Sequence, residues 1–174
     1  EGEKVTIVVA RTNGPTYVRF AREKTPVFTT AETPFAIGKA HAFWVEPPNT
    51  KPDVVIIACG PLVHNALLAA AELEQNGTKV RVINAVSIKP LDEEMIAAAA
   101  RDAGALVTVE EHQISGGMGS AVAELVARTH PVPIEFVGVQ NRFGESGSPN
   151  ELIEHFGMGV SHIKDAVLRV IKRK

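Results

Sequence analysis

The residue types best suited to chemistry in this chain stand in one short stretch of two acids, one histidine and three glycines. They are Glu110, Glu111, His112, Gly116, Gly117 and Gly119. A histidine beside two carboxylates can act as a tuned general acid or base. The same stretch is also typical of a loop whose polar side chains bind backbone groups or a neighbouring subunit. The sequence therefore leaves a ligand loop and an assembly surface both open.

A second group of chemical interest is the basic cluster of Arg19, Arg22 and Lys24. A guanidinium binds a phosphate through two parallel, charge-assisted hydrogen bonds, which makes arginine the preferred partner of phosphorylated ligands. Three basic residues close together in sequence are also common on a solvated surface. The cluster alone does not decide between these two interpretations.

Several other kinds of site are not supported. No second His or Cys stands at metal-ligand spacing beside His112, so a zinc site is not expected. No phosphate-binding loop of the Walker type is present, and the glycine turn lacks the full dinucleotide pattern. Cys59, at the end of an apolar run, is expected to be a small core residue rather than a nucleophile. The remaining histidines are scattered and are expected to be ordinary surface or packing residues.

The elements that must position these residues alternate along the chain. Apolar runs at 53–59, 79–84, 105–109 and 134–138 predict buried strands, and residues 40–45 predict an edge strand. Amphipathic stretches between and after them predict helices. We therefore expect an α/β domain with an open, mostly parallel five-stranded sheet, helices on both faces and a first strand that is an antiparallel edge.

The predicted sheet places the chemical residues at one edge, since the carboxyl ends of parallel strands lie together. This edge is expected to gather residues 59–61, 87–91, 110–112 and 141–147. The glycines are expected to form a turn that leads into a helix near 121–127. Further helices are expected after Asp92, after a capping box at 148–151 and from about Ser161.

The first 40 residues are less regular. Residues 1–15 fit a strand or a helix equally, because short apolar runs cannot be resolved by periodicity. Residues 16–20 suggest a short strand, and residues 23–39 lack an apolar period and suggest an extended linker. The chain begins at Glu1 rather than Met, and we expect it to be the later part of a longer protein.

Composition limits the classes of function. The 174 residues include 45% apolar and 22% charged residues with a net charge of −2, which is typical of a soluble globular domain. There is no basic excess to indicate nucleic-acid binding, and no apolar run long enough for a membrane span. A single cysteine excludes a disulfide framework, and a cytoplasmic location is expected.

A set of motifs in fixed order resembles the C-terminal part of a transketolase, including the separately encoded C-terminal half found in some prokaryotes. The resemblance covers nearly the whole chain and depends on the whole ordered set. The stretches are GPTYVRFAR at 14–22, IGKA at 37–40, VVIIACG at 54–60, KPLD at 89–92, VTVEEH at 107–112, GGMGS at 116–120 and RFGESG at 142–147.

This resemblance implies a domain organisation and a reaction. Residues 1–25 would be the tail of the pyrimidine-binding domain, 26–39 a linker and 40–174 the transketolase C-terminal domain. The family transfers a two-carbon ketol unit between sugar phosphates in the pentose phosphate pathway, using thiamine diphosphate and Mg²⁺. The N-terminal part of the enzyme, as the same chain or a separate subunit, would be the partner, and the domain would stabilise a homodimer.

The resemblance transfers few site residues to this chain. The family arginine that binds the substrate phosphate falls on Arg22, with Ala21 where Ser or Gly is usual. The cofactor-activating glutamate, the metal ligands and the proton-transfer histidines would all lie upstream of Glu1. No catalytic or metal-binding residue is therefore expected here, and the isolated segment is expected to bind no cofactor and to be inactive. The loop from Glu110 to Ser120 would be an assembly surface.

Three alternatives remain. The β subunit of a 2-oxoacid dehydrogenase and the C-terminal domain of a deoxyxylulose-phosphate synthase share the fold. Residue His112 and the motif at 144–147 favour transketolase over both. A non-catalytic interaction or regulatory module that binds a protein or a nucleotide is an alternative from another class.

Overall fold

The computed structural model describes all residues from 1 to 174 and contains one five-stranded sheet and six helices. The strands are β1 (His41–Trp44), β2 (Val54–Ala58), β3 (Val80–Asn84), β4 (Leu106–Gln113) and β5 (Ile134–Val139). The helices are α1 (Gly2–Ala10), α2 (Leu62–Gln75), α3 (Glu93–Ala103), α4 (Met118–Thr129), α5 (Pro149–His155) and α6 (Val160–Ile171). None of these helices has both the length and the apolar character that a membrane crossing requires.

The sheet has the order β1-β3-β2-β4-β5. Strands β2 to β5 run parallel to their neighbours, whereas β1 pairs antiparallel with β3 at the edge. This confirms the predicted fold, including the antiparallel edge strand. The central strand β2 is buried along its whole length, as its continuous apolar run requires in a sheet covered on both faces.

A separate hydrophobic core lies on each face of the sheet, because successive side chains of a strand point to opposite sides. Ile56 faces α2 and α6 and belongs to the larger core. Ile57 faces α3 and α4 and belongs to the smaller one. The two cores therefore fix the ends of the strands, where the candidate site residues lie.

Local signals set several helix ends where they were expected. The Asp92 carboxylate accepts a hydrogen bond from the Met95 amide at 3.2 Å and caps α3, and Gly104 ends that helix with φ of 66°. Ser148 and Glu151 form the predicted capping box at α5, with Pro149 in the first turn. These ends follow from side-chain chemistry that is visible in the sequence.

The N-terminal region differs from part of the expectation. Residues 2–10 form helix α1, which resolves the ambiguity of that stretch, and none of its residues is buried. The short strand expected at 16–20 is wrong: these residues form no strand. No neighbouring strand is available there to pair with the backbone, and residues 13–28 make no hydrogen bond. Strand propensity without a partner strand does not produce a strand.

The stretch around the two acids also differs in detail. Glu110, Glu111 and His112 belong to the end of β4 rather than to a loop. Helix α4 begins at Met118, earlier than expected, and includes Gly119. The physical reason is a cap supplied from the strand, since the Glu110 carboxylate binds the first amides of this helix.

Candidate functional site at the carboxyl edge of the sheet

The carboxyl ends of β2 and β4 are crossed by part of the irregular N-terminal region. A cleft of about 230 Å³ opens between helix α1 and this region on one side and Gly60 and Pro61 on the other. Arg19 and Phe20 contribute to its wall. The edge predicted from topology is therefore where the N-terminal region, residues 1–40, meets the sheet and the helices packed on it, residues 41–171, which we call the sheet domain.

Glu110 is a buried carboxylate with a structural task. It is 1% exposed, and its oxygens accept hydrogen bonds from the amides of Met118 at 2.7 Å and Gly119 at 2.8 Å. A carboxylate at a helix N-terminus is stabilised both by these bonds and by the helix dipole. Both oxygens of Glu110 are occupied in joining β4 to α4, so this carboxylate is not presented to a ligand.

The glycine turn is required by this arrangement. A Cβ atom on Gly117 would overlap with the carboxylate of Glu110. On Gly119 it would lie 2.6 Å from Thr108 Oγ1. Gly116 has φ of +78°, which favours glycine for conformational reasons. The glycines allow the strand carboxylate and the helix N-terminus to come close together.

Glu111 and His112 take no part in that buried contact. Glu111 Oε2 lies 3.8 Å from Arg19 Nη1, and both side chains are partly exposed. His112 is exposed and forms neither an ion pair nor a hydrogen bond through its side chain. The structure therefore separates the three residues and does not assemble an acid–base group from them.

The arginines of the basic cluster also have different surroundings. Arg19 reaches the sheet domain, whereas the Arg22 side chain is 96% exposed and its only charged neighbour is Glu23 at 3.9 Å. Arg22 does not line the cleft. Its guanidinium is accessible to a ligand or to another polypeptide, and its role as a phosphate-binding residue stays a prediction.

Cys59 lies at the end of β2 within the smaller core. Burial, and then the nearby Glu110 carboxylate, raise the pKa of its thiol to about 12. A thiol with this pKa carries almost no thiolate near neutral pH and is a poor nucleophile. Its placement agrees with the expected role of a small core residue.

The loop of residues 142–147, next to this edge, is held by side-chain contacts that the sequence did not predict. The Arg142 guanidinium lies 4.3 Å from the centre of the Phe156 ring and donates to the His155 carbonyl at 2.9 Å. His155 Nε2 lies 2.9 Å from Glu145 Oε1, and this hydrogen bond lowers the pKa of Glu145. These contacts hold residues 142–147 against α5. They join residues that are distant in sequence, so no local pattern could have indicated them.

The side chains do not provide a metal centre. No group of three or more His, Cys, Asp or Glu residues is arranged to hold a metal ion. A diphosphate cofactor bound through a metal therefore has no ligand set among these residues.

Comparison with known proteins places the chain in a family. The family model described as "Transketolase, C-terminal domain" matches residues 45–163, which is most of the sheet domain. The chain is 38% identical over 162 residues to the 6-deoxy-6-sulfo-D-fructose transketolase subunit of Clostridium sp. (strain MSTE9), covering 93% of this chain and 49% of that protein. It is 34% identical over 160 residues to a subunit of the apulose-4-phosphate transketolase of Phocaeicola vulgatus, covering 91% of this chain and 49% of that protein.

A solved structure agrees with these relatives. The structure titled "Split gene transketolase, inactive beta4 tetramer" superposes with a TM-score of 0.91 at 36% identity, covering 98% of this chain and 54% of that chain. The chain thus spans about half the length of these relatives. Sequence, fold and the ordered motifs agree, and the chain belongs to the transketolase C-terminal domain family.

Proposed function

We propose that the chain is the C-terminal part of a thiamine diphosphate-dependent transketolase, which transfers a two-carbon ketol unit between sugar phosphates. The observation that carries this proposal is the TM-score of 0.91 over 98% of the chain with a split gene transketolase. Two relatives named as transketolase subunits also support it, and this chain matches about half the length of each. A transketolase supplies binding and orientation, whereas thiamine diphosphate supplies the carbanion chemistry when bound.

The proposed partner is an N-terminal transketolase part that brings the cofactor site. The match with relatives named as transketolase subunits, of which this chain covers 49% each, supports this division of labour. Helix α1 supports it too, since Ile7 is exposed and Val5, Val8 and Val9 are only half-buried. An apolar helix without a core is suited to packing against a further polypeptide.

We further propose that the chain alone is inactive and self-associates, with a domain that stabilises a dimer in the complete enzyme. The related split gene transketolase is described as an inactive β4 tetramer, which supports both points by similarity. In this view residues 1–25 belong to the pyrimidine-binding domain and residues 26–39 connect it to the sheet domain.

Arg22 is proposed to bind the phosphate of the sugar substrate. Its side chain is 96% exposed and makes one weak ion pair, so its guanidinium can approach an anion from solvent or from a facing subunit. A bidentate contact with a phosphate would use two of its donors. This contact recognises the phosphate and leaves the reacting carbons of the sugar to the cofactor site.

Replacement of Arg22 by alanine in the enzyme completed with its N-terminal part tests this role. We expect the KM for phosphorylated sugars to rise about 10- to 100-fold, which corresponds to a lost charge-assisted contact of about 1.5–3 kcal/mol. Steady-state ketol transfer is the measurement, and Lys24→Ala serves as the control for a general loss of positive charge. An unchanged KM in Arg22→Ala would remove this residue from the substrate site.

A further inference from the structure

We propose that Glu111 is a positioning residue for the phosphate-binding segment, residues 13–28: its carboxylate holds Arg19 and so limits the position of Arg22, three residues further on. This inference rests on the proposed function, because it takes Arg22 as the residue that binds the substrate phosphate. It assigns a task in the reaction to the sheet domain.

The segment has almost no other polar anchor. Residues 13–28 make no hydrogen bond with the rest of the chain or with each other. Their single ion pair with the sheet domain joins Arg19 Nη1 to Glu111 Oε2 at 3.8 Å. The remaining ion pair of the segment, between Arg22 and Glu23, is internal to it. The far end of the segment is held by Phe28, whose ring lies 5.7 Å from that of Phe43 and packs against the larger core. The Arg19–Glu111 pair is therefore the polar attachment of the part that carries Arg22.

The place of attachment is rigid. Strand β4 pairs with β2 on one side and with β5 on the other. The residue before Glu111 is Glu110, which is buried and bonded to two amides at the start of α4. Neighbouring acids thus have separate tasks: Glu110 fixes the end of the strand, and Glu111 uses that fixed position to hold the segment. A residue that positions another group must itself be held in a rigid element.

The segment lies against the carboxyl edge of the sheet, within reach of Glu111. Arg19 and Phe20 face Gly60 and Pro61 across the cleft, and the Phe20 ring packs on Gly2. Arg22 follows Arg19 by three positions, so it can lie no more than about 11 Å away along an extended backbone. Fixing Arg19 therefore limits where the exposed guanidinium of Arg22 can be.

Ion pairs of this exposure are individually weak, and the expected effect is correspondingly small. A small shift in the position of a binding group nevertheless lowers the affinity for substrate, because a bidentate contact requires accurate placement of both donors. Loss of the Arg19–Glu111 pair should therefore weaken recognition of the phosphate without altering the chemical step.

The kinetic test uses the enzyme completed with its N-terminal part and the variant Glu111→Gln. We expect the KM for a phosphorylated ketose to rise about two- to fivefold, with kcat unchanged and no change in KM for a ketol donor that lacks a phosphate. Exchanging the charges, Arg19→Glu with Glu111→Arg, should restore most of the affinity. The matched control is Glu93→Gln, which removes a surface ion pair with Arg128 elsewhere on the domain.

A second measurement uses the chain alone and does not depend on activity. Trypsin cleaves after Arg22 and Lys24 when the segment is loosened, and we expect about two- to fivefold faster cleavage there in Glu111→Gln than in Glu93→Gln or the parent chain. Equal cleavage in the three proteins would contradict the anchoring of the segment. Faster cleavage with an unchanged KM, or an equal fall of kcat with both donors, would contradict the positioning role.

The outcomes separate this inference from the proposed function. A parent complex without any ketol transfer would contradict the proposed function, and with it the phosphate-positioning role. The trypsin comparison would still decide whether Glu111 holds the segment. An active parent complex with a Glu111→Gln variant identical to Glu93→Gln would overturn the positioning role alone.

Discussion

At the residue scale, adjacent acids of the same type have different environments. Glu110 is 1% exposed and accepts two backbone hydrogen bonds, whereas Glu111 is partly exposed and pairs with Arg19. Successive positions of β4 face opposite sides of the sheet, so only Glu110 reaches the start of α4, and burial of the strand ends after Glu110. Because both residues are glutamates, residue type alone does not predict that their environments differ, whereas the geometry of the strand explains it.

Replacement of Glu110 by glutamine should destabilise the chain by about 2–3 kcal/mol, because a charge-assisted pair of hydrogen bonds is lost and an amide NH₂ is brought against a backbone N–H. The free energy of unfolding in urea measures this effect. The matched variant Glu111→Gln should cost less than about 1 kcal/mol, since its partner is a weak, exposed ion pair. Equal losses in the two variants would contradict the buried cap at α4.

Replacement of Gly119 by alanine should destabilise the chain by about 1–3 kcal/mol through overpacking. The added Cβ would lie 2.6 Å from Thr108 Oγ1 and 2.8 Å from the Phe136 ring. Gly144→Ala is the control, because nothing lies within 4 Å of its added Cβ, and it should change the stability by less than about 0.5 kcal/mol. Thermal or urea unfolding of both variants would show the difference, and a neutral Gly119→Ala would refute the close approach of strand and helix.

At the element scale, an ion-pair network fixes the edge of the sheet. The Arg81 guanidinium of β3 binds Glu46, which follows β1, and donates to Asp102 Oδ2 in α3 at 2.8 Å. Arg81 and Glu46 are 19% and 8% exposed, so the pair is largely removed from water. Burial alone would raise the pKa of Glu46, but the hydrogen bonds from Arg81, a backbone hydrogen bond and the positive charge of Arg81 together outweigh this and lower it.

Replacement of Arg81 by methionine should therefore cost about 2–3 kcal/mol, because the Glu46 carboxylate is left without its partner. The parent chain should also lose this contribution as the pH falls below 4.5, the usual pKa of Glu46, since a lowered pKa stabilises the fold only while the carboxylate is ionised. Urea unfolding at pH 7 and below pH 4.5 measures both effects.

The control for this network is Arg128→Met, which removes an exposed ion pair with Glu93 and should cost less than about 1 kcal/mol. A small loss in Arg81→Met at pH 7, similar to that in Arg128→Met, would show that the network does not fix β1 and its following turn. A stability difference between Arg81→Met and the parent chain that persists unchanged in acid would contradict the part assigned to Glu46.

The elements that could be predicted from sequence are those whose signals are local. The buried run of β2, the Asp92 cap of α3 and the capping box at Ser148 specify their own structure. Strand formation at residues 16–20 could not be judged in this way, because a strand needs a partner that sequence propensity does not reveal. The early start of α4 depends on Glu110, which lies eight residues before Met118 and reaches it only in the folded sheet.

The candidate site was predictable to a similar extent. Topology correctly brought the ends of β2 and β4 to one edge, yet it did not show that Glu110 turns inward or that Glu111 meets Arg19. Both contacts depend on side-chain direction and on an irregular segment whose path has no periodicity. The role of Arg22 comes from the family resemblance and from its exposure, and it awaits measurement.

At the scale of the whole molecule, the chain consists of a well-packed sheet domain and a sparsely anchored N-terminal region. The buried residues of the two cores lie on the sheet and its helices, whereas α1 buries no residue and residues 13–28 make no hydrogen bond. The N-terminal region contacts the sheet domain at few points, among them Phe28 on the larger core and a hydrogen bond from Asn84 to Glu1. Such an uneven distribution of contacts is what the proposed N-terminal partner would require. The relatives in which this chain covers about half the length fit the same interpretation.

The most direct test of the proposed role is a calorimetric titration with thiamine diphosphate and Mg²⁺, first of the 174-residue chain alone and then with its N-terminal partner added. We predict no heat of binding for the chain alone, because its residues provide no metal-ligand group, and saturable binding with ketol transfer once the partner is present. Tight binding of the cofactor by the chain alone would contradict the assignment of the cofactor site to the partner.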